Sequence, residues 1–591
     1  MSGFDTTLDV LLDSANRDAP RLLGHVLIRG DMRLRERAVE RLMATTDGRR
    51  QALLVHYLDC LGHNLETRVL GGIGHMGAGL RHAMTLRDPR MQVTVVRMVR
   101  DTQDQSLAYL VGEAACSADQ SVRGQAVDLL WRWSVALRRQ EMALDGPAEM
   151  LLDEASLRRR TFVTEGLQRA FTSRFAAESP RTLCAAAMLA DRYASWFWGA
   201  MNVRRDTRRR ALMAHLAETL EPEMLSFLVQ ALDREGLAGD AAGLLHQAFD
   251  GRTVEALLRE FARRPALSAP ALRRLREAPW LGAGEVTLEQ AAPPLVTTAL
   301  ALAAGSGMPR PRLAILCRSV AVNHREPEAR RVALEALAHS GEAAGPELRI
   351  VAETAPQPSA GAAILHLLRR GELAEPSGRV MMNLLRDWWD LSPVDRREVG
   401  RGLASALRGQ PELLRDHLAA RGEARRRAAV ALVRLAQVAD VFDGELKAMA
   451  ADARDTQLQS AALSAIAEGA VEGLAAVLHQ GLGSWDARVR ANALEALDRR
   501  EARDDVFLRF TDDPSPRVRA NAARALIDRN RPEGSVTLRR MLTGGEAERL
   551  SALWVFSRTR PDGFVPTARL LASRDPSGRV RGKAAELLKS A

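Results

Sequence analysis

The residues best placed for chemistry lie in VLGGIGHMGAGL from Val69, which spaces Gly72, Gly74 and Gly77 as G-x-G-x-x-G. Glycines at that spacing let the backbone approach a dinucleotide pyrophosphate held at a helix N-terminus. The chemistry requires a strand before the loop and further βα units after it. Only Val69 and Leu70 could form that strand. The run Val93–Val96, which would supply the second strand, falls inside a well-patterned helix preceded by Asp88–Pro89. A glycine-rich helix end between repeats is therefore expected, with no NAD(P) or other cofactor.

His56, Cys60 and His63 stand at i, i+4 and i+7, one helical face that could offer ligands to a soft metal. One helix rarely closes a tetrahedral site and no second matching cluster exists, so no metal is expected. The segment SWFWGAMNVRRDTRRRAL brings Trp196, Phe197 and Trp198 close to Arg204, Arg205, Arg208, Arg209 and Arg210. Guanidinium groups beside aromatics suit phosphates, unstacked bases or a protein hot spot. Trp196, Trp198, Arg204, Arg205, Arg208 and Arg209 are thus candidate partner contacts. The plainer alternative has the rings in an inter-helix core and the arginines on a solvated face. Trp388–Trp389–Asp390 reads as a core anchor. No G-x-S-x-G, Walker A, HExxH or EF-hand pattern occurs, no catalytic residue is assigned, and an enzyme is not expected.

These residues are positioned by a repeat. WDARVRANALEALDRR from Trp485, DDPSPRVRANAARALIDRN from Asp512 and RDPSGRVRGKAAELLKS from Arg574 share one template. An apolar anchor (Val489, Val518, Val580) is followed at offsets of four, seven and eight by small or apolar residues. The sets are Ala493, Ala496, Leu497; Ala522, Ala525, Leu526; and Ala584, Leu587, Leu588. Those offsets fall on one stripe of a helix. The template also fits from Leu458, Ala424, Ala329, Val122 and Met91, with degraded copies at Glu548 and Leu34. Anchors at 424, 458, 489, 518, 548 and 580 recur about every 30 residues, room for two short helices and their turns. Each copy opens on a turn signal such as Asp88–Pro89, Asp513–Pro514 or Asp575–Pro576, where Pro suits the first helical position and Asp or Ser can cap an orphan N–H.

The pattern D-P-x-x-x-V-R-x-x-A-x-x-A-L resembles the HEAT-repeat family, an armadillo-like class, in the short bacterial form related to phycobilisome-lyase repeats. The resemblance implies an all-α solenoid, a superhelix of stacked antiparallel helix pairs. It also implies a ladder in which turn Asp and following Arg link successive repeats: Asp513 with Arg519, Asp575 with Arg581, and Asp486 with Arg490. At Asp31, Asp119, Asp455 and Asp486 the acid stands four residues before the Arg or Gln, not six. The loop at Gly72 to Gly77 resembles the cofactor loop of the β-hydroxyacid dehydrogenases, but lacks its βαβ surroundings.

The 591 residues exceed one ordinary core. Aromatics are 4%, favouring packed helices over sheets. Residues 1–262 read as an N-terminal helical array, 263–312 as a proline- and alanine-rich joint with Pro265, Pro270, Pro279, Pro293, Pro294, Pro309 and Pro311, and 313–591 as a C-terminal HEAT array. The net charge of +10 invites nucleic acid, yet nearly all of it is Arg, with Lys only at Lys447, Lys583 and Lys589. A GC-rich, bacterial genome accounts for part of that excess. Cys60, Cys116, Cys184 and Cys317 show no paired spacing, and no signal peptide or apolar span is apparent, so a cytoplasmic protein without membrane contact is expected. The leading function is a non-catalytic scaffold binding protein partners along a curved surface. Nucleic-acid binding, in the manner of HEAT-like DNA glycosylases that cradle a duplex, is the alternative; a dinucleotide-binding enzyme ranks below it.

Overall fold

A computed structural model describes residues 3–14, 16–144, 152–247, 249–263, 267–282, 288–469, 473–500, 502–560 and 564–589. Among these residues all regular structure is helical. The chain is an all-α solenoid. It divides into two compact units, Met1–Leu316 and Cys317–Ala591.

In the second unit the template helices pack on one another in order: Pro393–Gly409, Glu423–Ala436, Thr456–Glu468, Ala487–Asp498, Pro516–Asp528, Glu546–Thr559 and Gly578–Lys589. Intervening shorter helices, such as Asp443–Ala451, Ala475–Leu482 and Pro532–Leu542, form a second layer against them. Val489, Ala493, Ala496 and Leu497, and likewise Val518, Ala522, Ala525 and Leu526, are buried as the template requires. Small side chains permit the close approach: a Cβ added to Gly481 would sit 3.1 Å from the Ala493 Cβ. Two asparagines invisible to the apolar template stitch the row. Asn492 Nδ2 donates to the Ser460 carbonyl at 2.8 Å and Asn521 Nδ2 to the Ala491 carbonyl at 2.8 Å, each reaching the preceding template helix.

The spacing of the turn acids has a structural meaning. Where the acid stands four residues before the Arg or Gln, it is the helix N-cap. Asp31 accepts from the Leu34 N–H at 2.8 Å, Asp119 from Ser121 and Val122, Asp455 from Leu458, and Asp486 from Arg488. Where it stands six before, it lies outside the helix and receives the arginine of the preceding repeat. Asp513 accepts Nε and Nη2 of Arg490 at 2.8 and 2.9 Å, and Asp575 pairs with Arg549 at 2.7 Å. The rungs therefore run between repeats. Arg519 and Arg581 donate to the backbone carbonyls of Asp513 and Asp575 at 2.6 and 2.7 Å, and Arg519 also reaches Glu548 of the next repeat.

Three local expectations are corrected. The template in Glu423–Ala436 holds in part: Ala428 and Leu432 are buried as expected, Ala424 is exposed and Ala431 half-buried, and Ala429, Val430, Val433 and Ala436 are buried as well. Alanine and arginine runs leave the period ambiguous there. Glu548 is a ladder acid, its other oxygen accepting the Gly545 N–H at 2.8 Å, so this copy is modified rather than degraded. Pro514 and Pro576 precede the first turn, whereas Pro89 and Pro327 begin their helices.

The cap at Asp486 gives a pH signature. Its hydrogen bond to Arg488 holds the carboxyl down at about 2, from an ordinary 3.8. A depressed carboxyl contributes stability above its unfolded value, lost as pH falls through the folded one. The stability difference between wild type and Asp486→Ala is expected to be full above about pH 4 and to shrink toward pH 2. Urea titrations at stepped pH measure it; a difference independent of pH below 4 would refute the assignment.

In the first unit the glycine-rich segment is helix His63–Gly71, a 3-10 turn at Ile73–His75, and helix Gly77–Thr85. The dinucleotide strand has no counterpart there. Close packing explains Gly72, where a Cβ would strike the Met43 methyl, whereas Gly74 and Gly77 face open space. The proline-rich stretch holds helices Ala269–Arg273, Pro279–Gly282 and Pro293–Gly305; Pro265 lies outside the described residues.

Candidate docking groove

The clearest site is a groove of about 380 Å³ on the template-helix row of the second unit. Its positioning begins at Trp388–Trp389, which follow helix Gly378–Asp387. Trp388 is fully buried and anchors the core, as expected from sequence. Its neighbour Trp389 is half exposed. Ser392 then caps helix Pro393–Gly409, its hydroxyl accepting the Asp395 N–H at 3.1 Å, which fixes Arg396 and Arg397 in the first turn. Across from them, helix Glu423–Ala436 offers Arg427 and Arg434, seven residues and about 10 Å of helix apart.

Four arginines thus line one groove with no acid among its walls. Nearby carboxylates are engaged elsewhere. Asp395 and Glu398 pair with Arg369 at 3.1 and 2.9 Å, Asp387 accepts from Arg386 and the Gly361 N–H at 2.7 and 2.9 Å, and Asp390 accepts from Gln357 at 2.7 Å. Arg427 donates to the neutral Gln457, and the Arg396 guanidinium lies 5.3 Å from the Trp389 ring centroid. Buried Nε atoms of Arg396 and Arg434 and the Trp388 indole Nε1 find no acceptor among the described residues. The Nε atoms of Arg426 and Arg524 are likewise without acceptors, so the lack of acids, rather than these donors, sets the groove apart. The floor is small and apolar, with Val430, Ala431, Leu435 and Ala461, while Gln457, Ser460, Ser464 and Asn492 provide neutral hydrogen-bonding edges.

The sequence-expected contacts of the first unit are distributed differently. Phe171, Phe197, Trp198 and Phe227 form one aromatic core, with Trp198 stacked on Phe227 at 5.8 Å and half-buried Trp196 edge-on to Phe171 at 5.3 Å. Arg208 pairs with Asp206 at 2.7 Å over the Phe171 ring, and buried Arg209 binds Asp240 and the Gly236 carbonyl, each at 2.6 Å. Arg204 and Arg205 are exposed. Of the six candidates the structure places Trp196, Trp198 and Arg208 at the aromatic cluster and turns Arg209 inward, and only Arg204 and Arg205 are exposed. A second groove, of about 290 Å³, is lined by Arg138, Glu141, Arg160, Glu260 and Arg263, whose charges largely satisfy one another.

His56, Cys60 and His63 do not gather a metal site; among the described residues no group of three or more potential ligands converges. Burial pushes the Cys184 and Cys317 thiols up to about 12, while Cys60 is exposed. Since the thiolate is the nucleophile, alkylation of the folded chain at pH 8 is expected to modify Cys60 first and to leave Cys184 and Cys317 intact until denaturation. Mass spectrometry of the alkylated protein reads this directly; early loss of either buried thiol would contradict the packing.

Residues 475–557, which carry the Asn492 and Asn521 stitches and the Arg490–Asp513 rung, match the family model for HEAT repeats. Over those residues the chain is similar to HEAT repeats. No curated protein matches the chain. Similar solved structures include Kap121p bound to Nup53p, at 12% identity and TM-score 0.31 over 86% of this chain and 63% of that one. Others are the Kap95:Nup1 complex, at 10% identity and TM-score 0.28 over 99% and 98%, and the S. pombe condensin Cnd3–Cnd2 subcomplex, at 11% identity and TM-score 0.24 over 99% and 87%. The chain spans less than two thirds of the Kap121p chain. Among the described residues no helix of this chain is long and apolar enough to cross a membrane.

Proposed function

We propose that the chain is a non-catalytic scaffold whose HEAT-repeat face binds protein partners. The observation that carries this reading is the groove between Trp389 and Asn492, where four arginines lack acids on a row of helices otherwise held by ion pairs. An interior support would satisfy those groups; a docking surface leaves them to its partner. Exposed Arg204 and Arg205 are secondary contact candidates in the first unit. Four unpaired cysteines suit a reducing compartment such as the cytoplasm, and the short Asp/Arg-signed repeats fit the short bacterial form of the family.

Photo-crosslinking tests the reading. A photoreactive residue at exposed position 457 or 517, on the template helices, is expected to yield discrete polypeptide adducts in cells of the source organism. The same residue at position 536 or 570, exposed on the second layer, is not. Adducts of equal yield from both layers, no polypeptide adduct, or recovery of nucleic acid alone would each refute it.

A further inference from the structure

We infer that the groove formed by helices Pro393–Gly409, Glu423–Ala436 and Thr456–Glu468 takes an extended acidic peptide segment of a partner, with an apolar side chain of that segment against Trp389. The inference rests on the scaffold reading and names the chemistry of its ligand. Charge complementarity is the first ground. Arg396, Arg397, Arg427 and Arg434 converge without a carboxylate, so the site presents up to four cations to carboxylates. Guanidinium forks match carboxylates bidentately, and such pairs strengthen when partly desolvated.

Geometry supplies the second ground. Arg427 and Arg434 are about 10 Å apart along their helix, close to the span of three residues of extended chain. Acidic residues at every third position of a polyproline II segment, which share one face about 9 Å apart, would meet both. Gln457, Ser460 and Ser464 lie at i, i+3 and i+7 on the next helix and offer neutral donors and acceptors for the peptide backbone between those acids. The half-exposed Trp389 is an amphipathic ring at the groove's end, suited to an apolar or aromatic residue.

Nucleic acid fits less well. A strand-tracking surface needs a long basic stripe with several open stacking rings. Here the Arg396 guanidinium already lies near the Trp389 ring, and several arginines on the next template helices are paired, Arg488 with Asp486, Arg490 with Asp513 and Arg524 with Asp498, while Arg517 donates to Asn492. The four arginines line a groove of about 380 Å³, a size that suits a peptide.

The test uses the full chain and a fluorescein-labelled peptide of about ten residues, some 33 Å extended, rich in glutamate with one phenylalanine. Anisotropy is expected to show saturable binding that falls steeply between low and physiological salt. Arg397→Glu with Arg427→Glu, both on the exposed side of the groove, should weaken it by at least about tenfold, the order expected for lost charge-assisted contacts. Trp389→Ala should weaken it by several-fold without abolishing the salt dependence. Thermal unfolding of each variant confirms that the repeats remain folded. The inference is overturned by absent or non-saturable binding, by unchanged affinity in the folded charge-reversed variant, or by tighter binding of a single-stranded oligonucleotide of equal charge. If it falls while crosslinks from positions 457 and 517 persist, the scaffold reading stands and only the acidic ligand is lost.

Discussion

Replacing Asp513 with alanine is expected to destabilise the HEAT repeats around it by about 3–5 kcal/mol, the cost of removing one partner of a buried ion pair. The Asp513 carboxylate takes both the Nε and Nη2 of Arg490, and its other duty is to accept the Ser515 N–H at 2.8 Å. Asp513 is buried and Arg490 largely so. Without Asp513 the guanidinium keeps only the Ser484 and Trp485 carbonyls, at 2.8 and 3.0 Å. Because each repeat touches chiefly its neighbours, the loss should be local. Amide exchange should accelerate over residues 485–530 while the first unit keeps its protection. Replacing both partners, with Arg490→Met and Asp513→Leu, should recover much of the loss, since no charge is then stranded. A single Asp513→Ala change that leaves exchange in that segment unaltered would show that the rung is ornamental.

In the first unit the corresponding weak point is Glu141, where alanine is also expected to cost about 3–5 kcal/mol. Glu141 accepts from Arg138 at 3.0 Å and from Arg160. Arg138 lies 2.5 Å from Glu260, which in turn pairs with Arg263 at 2.7 Å. Arg263 closes the circuit by donating to the carbonyls of Glu141 and Met142 at 3.0 and 3.1 Å. Helix Gln120–Met142 is thereby fastened to helix Gly251–Ala262, more than a hundred residues later in the chain. Alanine would remove the carboxylate that Arg160 and the buried Arg138 share. Glutamine, which keeps an acceptor and loses the charge, should cost less. Thermal or urea unfolding of the first unit reads both; equal stability of Glu141→Ala and wild type would mean that water replaces the carboxylate.

The solenoid was legible in the sequence because its signal is periodic. Val489, Val518 and Val580 recur with the same small and apolar followers, and repetition overcomes the weakness of any single copy. The period blurred where residue types did not distinguish faces, as in the alanine and arginine run from Glu423, where Ala428 and Leu432 are buried as expected but Ala424 is exposed. The two acid spacings were visible as well, but only the structure separates a cap such as Asp486 from a ladder acid such as Asp513. That distinction depends on which arginine lies across the repeat boundary. The groove was hidden for the same reason. Trp389 and Trp388 are identical in type and adjacent in sequence, yet one is half exposed and the other sealed. Arg396 and Arg434 look like Arg490 and Arg549 until the acids opposite them are counted. A run of arginines after aromatics, by contrast, drew attention to residues 196–210, where Trp198 and Arg209 turn inward and Arg208 is held by Asp206.

Hydrogen–deuterium exchange of the full chain, with and without saturating acidic peptide, bears most directly on the claim that the unpaired arginines form a docking groove. Protection is expected in the first turn of helix Pro393–Gly409 and across residues 427–435 and 457–464, with little change in the first unit. Protection centred on residues 196–210, or spread evenly along the chain, would contradict it.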